Sequence, residues 1–436
     1  MLFRQFLNPD LGCASYLIGD EEAGVAVLVD PVYEIDPFLA EAELSGVRLT
    51  HVLETHTHAD HLSGHGRLAL DHGVAVAIHE DAGAEYPHEP LRDGSEIAVG
   101  SLSVRTIHTP GHRPEHCCFL IDGRLLTGDS LFVGSVARPD LAVEAREGAE
   151  GLFHSLHRLL ELPDSVQVFP GHVAGSLCGA GMSADPSSTV GQERRVNSAL
   201  AIATVEQFVV SQSVLPPRPP NMERIVELNR GPFVGAPPPL RPVSSAGGAT
   251  VLDVRPAETF AQGHVPGAIN VPVSGSAFGT KTGFLLGPDE RVVLHAPSRE
   301  EAERAARGLH AIGFLDLDGY LEDASATATT EPMEIDELER VLGSDDVELV
   351  DVREGDEWQD GYIPGSRHVP YRLLRGCADT FPRDKTIVTI CESGPRAAVA
   401  ASVLEAAGYH ARPVLHGGID EWERRGHATV KFRRCG

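Results

Sequence analysis

The chain has 436 residues, and its 63 acidic and 36 basic side chains give a formal net charge of −27. This surplus of negative charge argues against nucleic acid or an anionic membrane as a partner. No apolar run approaches the length of a membrane span, and the N-terminal residues lack the apolar core of a signal peptide. We therefore expect a cytoplasmic protein of several domains. Seven cysteines spread over the whole chain do not indicate a disulfide framework.

The first part of the chain alternates short strand-like runs with turns. Apolar runs of β type lie at 25–29, 74–78, 102–107, 117–121 and 166–169, and helical patterns lie at 37–44 and 151–160. A further helical run extends from 196 through Val209. Proline-rich stretches at 215–220 and 236–239 then favour stiff, extended spacers and a domain boundary near 240.

The stretch 55–61 reads THTHADH and places three histidines and one aspartate directly after a strand-like run. Imidazole and carboxylate are the usual protein ligands of zinc, iron and manganese. Three more candidates, His112, Asp129 and His172, each follow a strand-like run and a glycine. A lone histidine is most often structural, but this constellation at strand ends predicts a metal site.

Beyond the boundary the chain contains an internal repeat. Residues 253–272 and 351–370 share Asp-Val-Arg, Gly, Pro-Gly and Val-Pro in register, and 292–314 match 387–409. Each copy reads as strand, loop, strand, sharp loop and helix, which predicts an α/β domain with a parallel sheet. The low-complexity segment 324–330 is the predicted linker. We expect domains at 1–240, 241–326 and 331–436.

The first region resembles the metallo-β-lactamase superfamily, on the order THTHADH, His112, Asp129 and His172. The resemblance implies a four-layer αββα sandwich with metal at one edge of the paired sheets. The short gap from His112 to Asp129, and the Arg-Pro-Asp-Leu that follows, are similar to the persulfide dioxygenases fused to rhodanese domains. In that family two histidines and one carboxylate hold one iron(II), and the matching residues are His56, His112 and Asp129. Such a set leaves one face of the iron open to dioxygen and a persulfide sulfur.

The superfamily also contains dinuclear zinc hydrolases, among which the glyoxalase II thioesterases look similar to this chain. In those enzymes a second metal set is complete, and the matching residues are His58, Asp60, His61 and His172. In the dioxygenases the resemblance implies that these residues orient the ligands and line the pocket. One iron per chain is therefore expected, with zinc as the alternative and a second metal left open.

Two further features lie near the ligands. For Arg138 the resemblance suggests contact with a substrate carboxylate, with Asp140 beside it; a structural salt bridge between them is the alternative. Cys178, in Gly-Ser-Leu-Cys-Gly, is similar to a thiol of the dioxygenase–rhodanese fusions that meets persulfide sulfur. Its alternative role is that of a small buried hydrophobic residue.

Cys391 ends an apolar run and opens Cys-Glu-Ser-Gly-Pro-Arg, directly before a long Ala-rich helical pattern. The positive end of that helix and the charge of Arg396 both stabilise a thiolate or a persulfide anion. The loop resembles the rhodanese active loop, and a phosphatase loop would place five residues between Cys391 and Arg396 rather than four. In the first copy Ala296 stands at the position of Cys391 and Glu301 at that of Arg396, so that copy is expected to be inactive.

These observations predict a metallo-β-lactamase domain followed by two rhodanese-like α/β domains, in a sulfide-detoxifying enzyme. The first domain would oxidise a low-molecular-weight thiol persulfide with O2 to sulfite and thiol. The last would carry a persulfide on Cys391 and exchange it with sulfite, thiosulfate or a small thiol. Glutathione, coenzyme A or another thiol could be the carrier, and a homo-oligomer (dimer or tetramer) is expected. The competing hypotheses are a dinuclear zinc thioesterase with an accessory rhodanese, and a non-enzymatic persulfide sensor or relay scaffold.

Overall fold

The structure, a computed structural model, describes residues 1–173, 182–213, 215, 217–322 and 326–431. The chain divides into two compact units, residues 1–237 with 310–314, and residues 238–309 with 315–436. None of the described helices combines the length and the apolar character needed to cross a membrane.

The first unit contains two six-stranded sheets. The first sheet runs in chain order, with strands β1 (Leu2–Asn8), β2 (Cys13–Asp20), β3 (Val25–Val29), β4 (Arg48–Leu53), β5 (Ala75–His79) and β6 (Glu89–Leu91). β1 to β3 pair antiparallel, whereas β3 to β6 pair parallel. The carboxyl ends of β3, β4 and β5 therefore lie at the same edge of this sheet.

The second sheet consists of β7 (Glu96–Val99), β8 (Leu102–His108), β9 (Cys117–Ile121), β10 (Arg124–Gly128), β13 (Gln167–Pro170) and β14 (Ser188–Thr189). These strands lie in the order β14-β13-β10-β9-β8-β7. β11 (Leu131–Phe132) and β12 (Ser135–Val136) form a small separate hairpin. β9 is antiparallel to both β8 and β10, and β10 is parallel to β13. As a result β8, β10 and β13 all run in one direction.

The two sheets pack face to face. One buried apolar cluster joins Tyr16 and Val27 of the first sheet to Val104 and Phe119 of the second. The helices of this unit are α1 (Asp36–Leu44), α2 (His65–His72), α3 (Ala145–Leu159), α4 (Val190–Val196), α5 (Val205–Ser211) and α6 (Met222–Arg230). α1 and α2 contact the first sheet, and α3 and α5 share an apolar cluster with the second. The predicted αββα sandwich is confirmed.

The continuous helix predicted from 196 through Val209 is wrong. α4 ends at Val196 and α5 begins at Val205. The side chain of Asn197 donates to the backbone oxygen of Ser135 at 3.0 Å, and Thr204 Oγ1 accepts the N–H of Gln207 at 3.3 Å. These side chains hydrogen-bond at helix ends, where such residues are favoured over helix interiors.

The second unit contains two four-stranded parallel sheets of identical order, β16-β15-β17-β18 and β20-β19-β21-β22. The middle copy has β15 (Thr250–Asp253), α7 (Ala257–Gln262), β16 (Ile269–Asn270), α8 (Phe278–Leu285), β17 (Val292–His295), α9 (Arg299–His310) and β18 (Gly319–Leu321). The last copy has α10 (Ile335–Val341), β19 (Val347–Asp351), α11 (Gly355–Asp360), β20 (Arg367–His368), α12 (Leu374–Cys377), β21 (Thr386–Ile390), α13 (Pro395–Ala406), β22 (Ala411–Pro413) and α14 (Gly418–Arg424). Two α/β domains with parallel sheets were predicted, and this is confirmed.

The repeated Asp-Val-Arg motif has a structural explanation. In the middle copy Arg255 donates to the buried carboxylate of Asp253 at 2.6 Å and to the backbone oxygen of Gly263 at 2.8 Å. Arg353 makes the equivalent two contacts in the last copy, at 2.7 and 2.6 Å. The motif thus ties the end of a central strand to the end of the following helix, and it specifies the fold rather than the chemistry.

The described part of the predicted linker, residues 326–330, is hydrogen-bonded to the middle copy. The N–H of His264 donates to the backbone oxygen of Ala328 at 2.9 Å. The N–H of Thr330 donates to the backbone oxygen of Ala261 at 3.0 Å. This stretch therefore pairs with the middle copy along part of its length.

Candidate metal centre and sulfur-transfer loop

Four loops bring the seven predicted metal ligands to one edge of the paired sheets. The loop after β4 carries four of them, His56, His58, Asp60 and His61. β8, β10 and β13 run in one direction, and the loops that follow them carry His112, Asp129 and His172. All seven side chains are buried. The alternation of apolar runs and polar loop residues had predicted this convergence.

A glycine precedes each of the three remote ligands because the backbone there is tightly packed. A Cβ on Gly111, where φ is +150°, would collide with the backbone of Leu152. On Gly128, where φ is +46°, it would lie 2.6 Å from Thr55 Oγ1. On Gly171 it would lie 2.7 Å from Asp129 Oδ1. Only glycine allows the ligand loops to approach this closely.

Three ligand atoms converge at this edge. His56 Nε2 lies 4.0 Å from Asp129 Oδ2, and His112 Nε2 lies 3.5 Å from the same oxygen. Within the described parts of the chain, none of these three atoms has a hydrogen-bond partner. The far side of each imidazole is anchored, with His112 Nδ1 at 2.9 Å from the backbone oxygen of Arg138 and His56 Nδ1 at 2.9 Å from Thr55 Oγ1.

The convergent atoms fit a metal ion. An unpaired buried polar atom costs about 1–3 kcal/mol, so three that face one another require a common partner. Burial lowers the pKa of His56 and of His112, which keeps both imidazoles in the neutral form that binds metals. Two histidines and one carboxylate form the facial triad typical of non-haem iron(II) oxygenases.

Three of the candidate ligands of a second metal, Asp60, His61 and His172, contact one another, whereas His58 Nδ1 and His61 Nε2 have no hydrogen-bond partner among the described residues. His172 contacts Asp129 Oδ1 through Nδ1 at 2.7 Å and Asp60 Oδ2 through Nε2 at 2.8 Å. His61 Nδ1 lies 3.1 Å from Asp60 Oδ1. Burial lowers the pKa of His172, but the charges of Asp129 and Asp60 outweigh burial and raise the pKa to about 10. Both ring nitrogens of His172 therefore contact carboxylate oxygens in this structure.

His58 is held by two carboxylates that the sequence did not single out. Its Nε2 lies 3.1 Å from Glu54 Oε2 and 3.3 Å from Asp30 Oδ1. Asp30 also accepts the backbone N–H of Thr55 at 2.7 Å. Asp30 and Glu54 directly follow β3 and β4, so their position at the ends of parallel strands was the signal that could have identified them.

The sulfur-transfer loop is one continuous segment. Cys391 follows β21, and its buried Sγ accepts the N–H of Gly394, the residue before α13, at 3.1 Å. Gly418 packs on this loop with a φ of +44°, and a Cβ there would collide with the backbone oxygen of Cys391. Ile419 donates its N–H to that oxygen at 2.9 Å. The Gly-Gly-Ile-Asp motif therefore positions the loop.

Arg396 lies in the first turn of α13, as predicted, but its charge is paired. Its guanidinium donates two hydrogen bonds to the carboxylate of Glu357, at 2.5 and 2.6 Å. Burial opposes ionisation of Glu357, yet the hydrogen bonds from Arg396 outweigh it and lower the pKa of that carboxyl. The sequence did not single out Glu357 as the partner.

Comparison with known proteins matches both halves of the chain. The profile of the metallo-beta-lactamase superfamily matches residues 8–172, and that of the rhodanese-like domain matches 241–323 and 334–425. Mitochondrial persulfide dioxygenase ETHE1 of Bos taurus is 32% identical over 244 residues, covering 55% of this chain and 91% of the relative. The same enzyme of Homo sapiens is 32% identical over 236 residues, covering 52% and 87%.

The chain belongs to the persulfide dioxygenase family of the metallo-β-lactamase superfamily. It carries two rhodanese-like domains after the dioxygenase-type domain, and it is an enzyme of the dioxygenase and sulfurtransferase classes. A solved structure of a metallo-beta-lactamase from Staphylococcus aureus subsp. aureus COL is 30% identical with a TM-score of 0.69. It aligns with 74% of this chain and 99% of its own.

In this persulfide dioxygenase family member, Arg138 and Asp140 are bound to each other. The guanidinium donates to both carboxylate oxygens at 2.7 and 2.8 Å, and both side chains are buried. Arg218 adds a hydrogen bond to Asp140 at 2.8 Å. The structure thus contains the salt bridge that was the alternative to substrate contact, and a substrate-binding role for the pair stays a prediction.

The chain between the two proline-rich stretches contains α6. The side chain of Asn229, on this helix, donates to the backbone oxygens of His58 and His61 at 2.9 and 2.8 Å. Asn229 also accepts the N–H of Ser63 at 2.9 Å. α6 therefore holds the ligand loop in place, a role that no motif in the sequence indicated.

A cavity of about 690 Å³ adjoins the ligand loops. Ala59 and Arg113, which neighbour the ligands in sequence, line one side, and Arg218, Met222 and Val226 line another. The cavity is large enough for the carbon body of a small thiol, and it borders the loops that carry His58 and His112.

The remaining predicted residues fall into two groups. Ala296 follows β17 as Cys391 follows β21, and Glu301 lies in the first turn of α9, so the middle copy lacks both the thiol and the arginine. Cys178 lies outside the described residues, and its predicted role is neither supported nor opposed.

Proposed function

We propose that the first domain is a mononuclear non-haem iron dioxygenase that oxidises the outer sulfur of a low-molecular-weight thiol persulfide. One dioxygen and one water would convert R–S–SH into R–SH and sulfite. The observation that carries this proposal is the triad of His56, His112 and Asp129, whose three convergent atoms have no other partner among the described residues. Family membership supports the substrate class.

Iron bound by this triad would supply adjacent open positions for dioxygen and for the persulfide sulfur. The protein would keep the ligands oriented through their outer contacts. Arg138 would fix His112 through its backbone oxygen, and His172 would hold the carboxylate of Asp129. The cavity beside Ala59 and Arg113 would hold the thiol body.

For the last domain we propose sulfur transfer through a persulfide on Cys391, with sulfite, thiosulfate or a small thiol as the exchange partner. The buried Sγ and its hydrogen bond from the N–H of Gly394 support an anionic sulfur at this position. The two domains would share sulfite and persulfide, which explains their fusion. We further propose a cytoplasmic role in sulfide detoxification, a homo-oligomeric assembly, and a thiol role for Cys178.

The alternative is a dinuclear zinc thioesterase with an accessory rhodanese. His58, Asp60 and His61 favour it, because one ligand atom from each lies within 4.8 Å of the others. The hydrogen bonds that His172 makes to Asp60 and Asp129 favour a single metal instead.

Anaerobic purification, metal analysis and an oxygen electrode test the proposal. We expect one iron per chain and persulfide-dependent oxygen uptake with sulfite as product. Two zinc ions per chain, with thioester hydrolysis and no oxygen uptake, would establish the alternative.

A further inference from the structure

The arginines around the Cys391 loop carry no surplus positive charge. Arg396 is paired with Glu357 through two hydrogen bonds, and Arg353 is paired with Asp351 at 2.7 Å. Arg372 lies against Glu354. Each of these three guanidinium groups is therefore already paired with a carboxylate in the protein.

Two further carboxylates lie at this loop. Glu392, the residue after Cys391, has a half-exposed side chain, and Asp420 donates its backbone N–H to the backbone oxygen of Glu392 at 3.2 Å. Burial, with the neighbouring carboxyl groups of Asp420 and Glu357, raises the pKa of Glu392. The nearest guanidinium nitrogen, from Arg353, is 3.8 Å away. Around the loop, three arginine side chains (Arg353, Arg372 and Arg396) thus lie among five carboxyl groups (Asp351, Glu354, Glu357, Glu392 and Asp420), so acidic groups outnumber basic ones there.

A cavity of about 310 Å³ adjoins the same loop. Ser393 and Pro395 of the loop form one side of it, and Val271 and Leu415 give it an apolar surface. Its charged residues are one cation and one anion, Lys281 and Glu258. Lys281 donates to the backbone oxygen of Ser276 at 2.7 Å. This cavity suits an organic body without net charge better than a small inorganic dianion.

We propose that Cys391 exchanges sulfur with a thiol persulfide whose carbon part has no net negative charge and occupies this cavity, and that Glu392 and Asp420 disfavour thiosulfate. The proposal rests on the proposed function of Cys391 and selects among its exchange partners. The thiolate of Cys391 would attack the outer sulfur of R–S–SH and form a new S–S bond. The S–S bond of the donor would break, and the inner sulfur, still bound to R, would leave with the electron pair and take up a proton to give R–SH.

The first test is the salt dependence of sulfur transfer to cyanide, with thiosulfate and with 2-hydroxyethyl persulfide as donors. Because like charges repel less when screened, kcat/KM for thiosulfate should rise about threefold or more between roughly 20 and 200 mM salt. The value for the hydroxyethyl donor should change much less. Glu392→Gln should raise kcat/KM for thiosulfate by roughly threefold to tenfold at low salt and remove most of the salt effect.

Two further variants complete the test. Glu339→Gln, on α10 with a half-exposed side chain, is the matched control and should change neither donor's kinetics. Ser274→Trp, which places a large ring in the cavity, should lower the preference for a bulkier thiol persulfide over thiosulfate at least about fivefold, mainly through KM.

The outcomes are distinguishable from failure of the proposed function. If Cys391→Ser retains transfer from both donors, the proposed function of this loop is wrong. If Cys391→Ser is inactive but added salt lowers kcat/KM for thiosulfate, or Glu392→Gln leaves the salt effect unchanged, then the selectivity proposed here is wrong.

Discussion

The metal centre and the sulfur-transfer loop are built in opposite ways. The metal centre is assembled from separate loops: His56, His112 and Asp129 each follow a different strand, and Asn229, from a later helix, holds the loop of His56 through the backbone of His58 and His61. The sulfur-transfer loop is one segment from Cys391 to Arg396, between a strand and a helix. A site of the second kind can be lost by changes in a few adjacent residues while the fold persists. The middle copy, with Ala296 after the equivalent strand, illustrates this.

The largest effect is expected from a substitution in the metal centre. Asp129→Ala removes one of the three convergent atoms and also the oxygen that binds His172. We expect the variant to lose its metal and its persulfide-dependent oxygen uptake, both measured after anaerobic purification, and added iron should not restore them. Asp71→Ala, an exposed position on α2, should retain both. An Asp129→Ala protein with full iron content and normal uptake would contradict the ligand assignment.

The next effect tests whether the two sites act separately. Cys391→Ser should abolish sulfur transfer from thiosulfate and from a thiol persulfide to cyanide, since the hydroxyl is a far weaker nucleophile. Oxygen uptake should change by less than about twofold, because no ligand of the triad is altered. Cys377→Ser, a partly buried free thiol of the same domain, serves as the control and should keep transfer activity. Equal loss of both activities would show that the sites do not work independently.

A smaller effect is expected where the metal centre depends on a distant segment. Asn229→Ala removes three buried hydrogen bonds from the ligand loop, each worth about 1 kcal/mol and more where a buried group is left unpaired. We expect a loss of roughly 3 kcal/mol in unfolding free energy and weaker iron retention in competition with a chelator. Asn270→Ala, which removes two side-chain hydrogen bonds within the middle copy, is the control and should leave iron retention unchanged. Iron retention equal to that of the parent would show that α6 does not support the centre.

These examples also show what the sequence can and cannot predict. Cys391, its arginine and its helix are adjacent in the chain, so the loop was predicted correctly from local pattern. The convergence of the candidate ligands at one edge was also predictable, because each of their loops follows a strand end and the three remote candidates also follow a glycine. The sequence could not show which candidates direct their ligand atoms toward a common metal position. His172 is distinguished from the triad by its hydrogen bonds to Asp60 and Asp129, which only the structure reveals. Asn229 was missed because it lies on a helix more than 160 residues after the ligand loop, and nothing in the local pattern shows that its side chain contacts that loop.

The smallest expected effect is the restoration of a thiol to the inactive copy. In a Cys391→Ser background, Ala296→Cys should leave sulfur transfer to cyanide at the level of Cys391→Ser alone. The position is fully buried, Glu301 stands where an arginine is needed, and its charge would raise the pKa of the new thiol. Ser298 Oγ already accepts the N–H of Glu301 at 3.3 Å, so this helix start also differs from the loop of Cys391.

A third variant sharpens this last comparison. Adding Glu301→Arg to the same background replaces the opposing charge, and a small gain in transfer would indicate that charge limits the middle copy. If neither change produces transfer, the loop backbone itself is unsuited to hold an anionic sulfur, because Arg299 stands at the position of Gly394, whose φ is +120° and whose N–H contacts Cys391 Sγ at 3.1 Å in the last copy. Substantial activity from Ala296→Cys alone would contradict both explanations and would make the middle copy a competent sulfurtransferase that has lost only its thiol.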